Sequence, residues 1–103
     1  MTLTGKQRRH LRALGHPLKP VVQIGKEGVT EAVGRALGQA LADHELVKVK
    51  LGPGAEVDRD TAATALAAAT GAEVAQILGK TILLYKPRDD DPTIVLPQPA
   101  EPS

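Results

Sequence analysis

Pro20-Val21-Val22-Gln23-Ile24-Gly25-Lys26-Glu27-Gly28-Val29-Thr30-Glu31 is the stretch on which the architecture turns. Val21 to Ile24 is a short β-branched run closed by Pro20 on one side and Gly25 on the other, which predicts a strand. Gly25 to Gly28 is a tight loop. Thr30 is placed as a helix N-cap with Glu31 in the first turn, where a carboxylate favours the positive end of the helix. That helix is expected to run to about His44, with Val33, Leu37, Ala40 and Leu41 as its buried stripe. Gly34 and Gly38 lie four apart on one helical face, which implies that another backbone passes close to them.

A strand followed by a helix needs a second strand to pack against, and Leu46 to Leu51 supplies it. Its alternation puts Val47, Val49 and Leu51 on one face and Lys48 and Lys50 on the other. Gly52-Pro53-Gly54 ends it. Asp58 or Asp60 caps an alanine-rich helix over about Arg59 to Thr70, with Ala62, Ala65, Leu66 and Ala69 facing the sheet and Gly71 at the C-terminal left-handed position. Two more strands, about Val74 to Leu78 and Thr81 to Lys86, are joined at Gly79-Lys80 as a hairpin. Upstream, about Thr4 to Leu14 predicts a first helix with Leu11, Leu14 and the later Leu18 on one side, stopped by Gly15, Pro17 and Pro20. The expected fold is therefore α/β: a compact two-layer sandwich in the order α-β-α-β-α-β-β. Two right-handed crossovers, each making a parallel pair, and a hairpin complete a mixed four-stranded sheet. Residues 1–87 form the domain, and residues 88–103, rich in proline and acid, are expected to be a disordered tail in which only Thr93 to Leu96 could pair as an edge strand.

The charge is distributed unevenly. Residues 1–88 hold all 13 Lys and Arg against 8 acids, a balance of +5, and residues 89–103 return −4 through Asp89, Asp90, Asp91 and Glu101. Before Glu27 there is no acid at all, only Lys6, Arg8, Arg9, Arg12, Lys19 and Lys26. Such a patch suits a polyanion, although a solvated helix face would also tolerate it. Gly25-Lys26-Glu27-Gly28 stands between a strand and a helix start, where free N–H groups favour a phosphate. By itself this spacing is more often an ordinary turn, and Glu27 opposes an anion there. Lys48 and Lys50, flanked by Gln23 and Gln76 of other strands, form a polar sheet face that could extend the same surface.

Several chemistries are excluded by composition. The chain has no Cys, and His10, His16 and His44 are too scattered for a metal set, so neither metal nor cofactor is expected. Ser103 is the only serine, which leaves no nucleophile for acyl transfer. Gly79-Lys80-Thr81 imitates the end of a phosphate-binding loop, yet position 74 is Val where that motif needs Gly, and a strand follows instead of a helix. An enzyme is not expected, nor is a small-molecule substrate. With one aromatic residue, Tyr85, the sheet cannot be an aromatic stacking platform. No apolar run reaches the roughly 20 residues of a membrane span, and the basic start lacks a secretory core, so no membrane partner and a cytoplasmic location are expected.

Separated motifs then agree with one family. Leu14-Gly15-His16-Pro17-Leu18-Lys19-Pro20 continuing through Thr30, His44-Glu45-Leu46-Val47-Lys48-Val49-Lys50, Thr70-Gly71-Ala72, and Ile77 through Pro87 together resemble the CRM domain, named for chloroplast RNA splicing and ribosome maturation, and most of all its single-domain bacterial YhbY-like members. The likeness spans residues 3 to 87. It implies a fold similar to the C-terminal domain of translation initiation factor three and a role in binding ribosomal RNA while the large subunit matures. The family's GxxG loop falls on Gly25, Lys26, Glu27 and Gly28. Val29, Gly15 and Lys86 depart from the Leu, Ala and Arg the pattern leads one to expect. A general nucleic-acid chaperone and a module that docks on an acidic protein are the alternatives.

Overall fold

The computed structural model describes residues 3–97. Helix α1 (Gly5–Gly15) leads into strand β1 (Val22–Ile24), then α2 (Glu31–His44), β2 (Leu46–Leu51), α3 (Arg59–Thr70), β3 (Glu73–Leu78) and β4 (Thr81–Tyr85). The α/β class, the element order and the mixed four-stranded sheet are those expected from the sequence.

The ends of the helices are set by local chemistry. The Thr30 hydroxyl accepts from the Val33 amide at 3.1 Å, and the Asp58 carboxylate from the Thr61 amide at 3.0 Å. Gly71 closes α3 at φ +75°, a conformation that costs glycine nothing. Thr4 and Gln7 form a reciprocal capping box at the start of α1.

The strand order is β1-β2-β4-β3. β1 and β2 are parallel, as the first crossover requires, with Val22 opposite Val49. The second crossover makes no parallel pair: β4 returns between β2 and β3 and runs antiparallel to both. Its residues Ile82, Leu83 and Leu84 are apolar on both faces, which suits a central strand better than an edge. β3, which holds a bulge between Val74 and Gln76, takes the edge.

The helices divide between the two faces. α2 and α3 cover one, where Leu37, Leu41 and Leu66 meet Ile24, Val49, Ile82 and Leu84. α1 lies on the other with Leu11 packed among Leu46, Ala75, Leu83 and Tyr85, so a helical layer is added to the two expected. Gly15 permits this approach, since a Cβ there would stand 2.7 Å from Leu83 Cδ2. Only Leu11 of the expected α1 stripe is buried; Leu14 and Leu18 are exposed. In α3, Ala63 replaces Ala69 on the buried face. A Cβ added at Gly34 would meet only the Ala69 side chain, at an ordinary 3.6 Å, and one at Gly38 would meet nothing within 4 Å, so no backbone crosses close to them.

Residues 88–97 form neither helix nor strand, and Thr93 to Leu96 does not join the sheet. They are nonetheless bonded to the domain; of the tail expected to be disordered, residues 98–103 lie outside the described residues. The fastener is Glu45, fully buried directly after α2 with φ +63°. Its Oε2 accepts from the Arg88 amide at 2.8 Å, and its Oε1 from the Thr93 amide at 2.7 Å, the Thr93 hydroxyl at 2.6 Å and the Ile94 amide at 2.9 Å. Gln7 Nε2 adds a bond to the Pro97 carbonyl at 3.2 Å, and Ile94 and Leu96 pack on the α1-side core.

Candidate nucleic-acid interface

Lys6, Arg8, Arg9 and Arg12 are all exposed on α1, because Leu11 and Gly15 take the face that meets the sheet. At 100° per residue Arg8 and Arg12 share one flank of the helix while Lys6 lies on the outward side, opposite the face taken by Leu11 and Gly15. Beneath α1, β2 presents Lys48 and Lys50 on the same sheet face as Leu46, as the alternation required. Lys48 is half-buried, and its Nζ donates to the His16 carbonyl at 3.5 Å, tying the end of α1 to the strand. Lys50 is exposed, opposite Gln23 on β1. Gln76 pairs with Leu83 one strand beyond Lys48, so it is on this face too.

Gly25, Lys26, Glu27 and Gly28 follow the last β1 pair, Ile24 with Leu51. The loop is a tight turn in which the Gly28 amide donates to the Gly25 carbonyl at 3.1 Å. Gly28 has φ +76°, and a Cβ at either glycine would project into open space, so the loop offers bare backbone to whatever approaches. Lys26 and Glu27 are both exposed there, a cation and an anion side by side. The loop is roughly 10 Å along the strand from Lys48, at about 3.3 Å per residue, and the exposed Gln23–Lys50 row bridges the gap. Lys19 is exposed in the link between α1 and β1.

Two cations that the sequence reading did not assign lie at the same end. The Leu51 amide donates to the Lys80 carbonyl at 2.8 Å, and Arg59 Nη1 donates to the Gly79 carbonyl at 3.0 Å. The hairpin turn therefore stands beside the end of β2. The register of β2 with β4 could have revealed it, but only once β4 was known to be the neighbour. This end is mixed in sign, since Glu56, Asp58 and Asp60 flank Arg59.

Among the described residues none of the α1 cations is ion-paired. Among the described residues the only ion pair within 4.0 Å is Arg35 with Glu31 at 3.9 Å, on α2. Asp89 and Asp90 line a cavity with Gly38, Leu41 and Lys86 on the α2 side, away from the α1 cations. Lys86 Nζ is occupied by the Thr70 carbonyl at 2.7 Å, at the negative end of α3. Tyr85, the one aromatic, is buried, and its phenol is pushed up by burial and then by the nearby Glu45 charge. Among the described residues no group of three His, Asp or Glu side chains could hold a metal ion.

An α/β domain with an unpaired basic helix on one sheet face and an open glycine loop at its edge is the class that these features define. The chain belongs to the CRS1/YhbY (CRM) domain family, whose model matches residues 3–86. It is 39% identical over 95 residues to Probable RNA-binding protein YqeI of Bacillus subtilis, covering 92% of this chain and 99% of that one. It is also 39% identical over 92 residues to an RNA-binding protein of Haemophilus influenzae, covering 86% and 90% respectively. The fold matches the solution structure of SAV1595 from Staphylococcus aureus, described as a candidate RNA-binding protein, with a TM-score of 0.79 at 36% identity over 93% of this chain and all of that one.

Proposed function

We propose that this chain is a non-enzymatic, cytoplasmic RNA-binding protein that holds structured ribosomal RNA while the large ribosomal subunit matures. The observation that carries the RNA partner is the set of exposed α1 cations, Lys6, Arg8, Arg9 and Arg12, none with a carboxylate within 4.0 Å among the described residues. With Tyr85, its one Phe, Tyr or Trp, buried, the domain binds through phosphates and shape and not through a sheet-surface aromatic platform. In this reading residues 1–87 are the binding domain, α1 and Lys19 supply most of the charge, Lys48 and Lys50 extend it across the sheet, and Gly25 to Gly28 brings backbone N–H groups to a phosphate. Lys26 attracts that phosphate and Glu27 tempers the attraction. The ribosomal assignment is supported by membership of the family, and the relatives' names support RNA.

Sedimenting a lysate on a gradient, locating the protein, and sequencing the RNA from its fractions tests the proposal. Co-migration with large-subunit precursors, enriched in their RNA, is expected. Migration with RNA of every kind favours a general chaperone, and migration with protein after nuclease treatment favours an acidic protein partner.

A further inference from the structure

Three of the large apolar side chains left exposed are neighbours: Leu14 at 41%, Leu18 at 38% and Val21 at 60%. They wall a cavity of about 420 Å³ between the end of α1 and the β1 edge, which the docked segment closes with Ile94. Lys19 and Lys48 line the same cavity, and no Asp or Glu does. An apolar cleft of this size suits a flat small-molecule group, and two uncompensated ammonium groups beside it suit an anion attached to that group. A nucleotide has both parts in one unit. Tyr85 is buried, so a base drawn toward this surface meets the Leu14–Leu18–Val21 cleft, whose apolar walls and His44 imidazole are the surface available to it.

We propose that this cleft takes one unpaired nucleobase of the bound RNA, with Lys19 and Lys48 on the phosphates to either side. The proposal rests on the RNA-binding reading and deepens it: the phosphate surface over α1 accepts any RNA, and the cleft selects RNA with a base free of pairing. A paired base hides its hydrogen-bonding edge and one or both faces in the helix, so a duplex cannot fill the site without unstacking. The charge of the lining favours RNA over an apolar protein segment, which would leave both lysines unmatched.

The test compares binding of hexa-adenylate with binding of the same ribose-phosphate hexamer lacking its bases, at one low salt concentration, to the full chain and to a Leu18→Ser, Val21→Ser double variant. Both positions are exposed, so the variant should fold, which its thermal unfolding verifies. The wild type should bind hexa-adenylate about tenfold more tightly than the baseless strand, and the variant should bind the two alike. Equal binding of both strands by the wild type would overturn the cleft while leaving phosphate-led RNA binding intact. An unchanged tenfold preference in the folded variant would move the base site elsewhere and overturn it equally. Failure of both strands to bind would overturn the RNA reading itself, and saturable binding of an apolar peptide instead would assign the cleft to a protein partner.

Discussion

Replacing Glu45 by Gln should release residues 88–97 from the domain without unfolding it. Burial alone would raise this carboxyl, but the bonds from the Thr93 hydroxyl and from the Arg88, Ile94 and Thr93 amides outweigh it and hold the group at about 2, against an ordinary value of 4.5. Each pKa unit is worth about 1.4 kcal/mol, so about 3 kcal/mol of docking stability is tied to the negative charge. The sign follows from the folded value lying below the unfolded one. The contribution is complete above about pH 5, declines as the pH falls through 4.5, and is gone below about 2. In Glu45→Gln the amide oxygen can still serve Thr93 and Ile94, but its NH₂ group then faces the Arg88 N–H, donor against donor. A loss of about 2 kcal/mol is expected, which accelerates hydrogen exchange at the Thr93 and Ile94 amides by roughly thirtyfold. Exchange followed by NMR at pH 6 and pH 3, corrected for intrinsic rates, reads both effects. Equal protection in wild type and variant at pH 6, or wild-type protection unchanged between the two pH values, would refute the view that this carboxylate is the fastener. The positive φ at Glu45 strengthens the argument: a non-glycine residue held at +63° costs stability, and the bonds to the distant segment are what it is exchanged for.

Changing Arg8, Arg9 and Arg12 together to Gln should flatten the slope of log affinity against log salt by about one unit or less per lost phosphate contact, with thermal unfolding nearly unmoved because all three are exposed. Gly28→Val should cost about 1 to 2 kcal/mol in denaturant unfolding through its φ of +76°, whereas Gly25→Ala, with open space around its Cβ, should leave stability within about 0.5 kcal/mol and weaken RNA binding if a phosphate approaches there. Gly15→Ala should destabilise by about 1 to 2 kcal/mol, because the new methyl must displace Leu83 in the α1-side core. Truncation after Arg88 removes three of the four bonds to Glu45; its carboxyl should then titrate well above its present value, visible by NMR, and the domain should lose about 2 kcal/mol.

Most of the secondary structure could be read from the chain because the forces that set it act within four or five residues. Thr30 and Asp58 cap the helices that follow them, Gly71 ends α3, and alternation from Leu46 to Leu51 puts Lys48 and Lys50 opposite Val47 and Val49. The candidate cations were equally legible, since an unbroken run of bases without acids is a property of sequence alone. What joins them into a surface was not. Whether α1 covers the α2–α3 face or the opposite one depends on whether Leu83 leaves room for Gly15, 68 positions away in the chain. The place of β4 between β2 and β3 follows from its two-sided apolar character, but an edge position would have matched the same hairpin signal. Glu45 looked like the end of a helix, because the four donors that make a buried carboxylate tolerable come from 43 to 49 residues away. The cleft of Leu14, Leu18, Val21 and Ile94 likewise joins a helix, a linker and a C-terminal segment that no local pattern connects. Local hydrogen bonding and hydrophobic period are written residue by residue, whereas burial of a charge and closure of a cleft are properties of surfaces that exist only after the chain has folded back on itself.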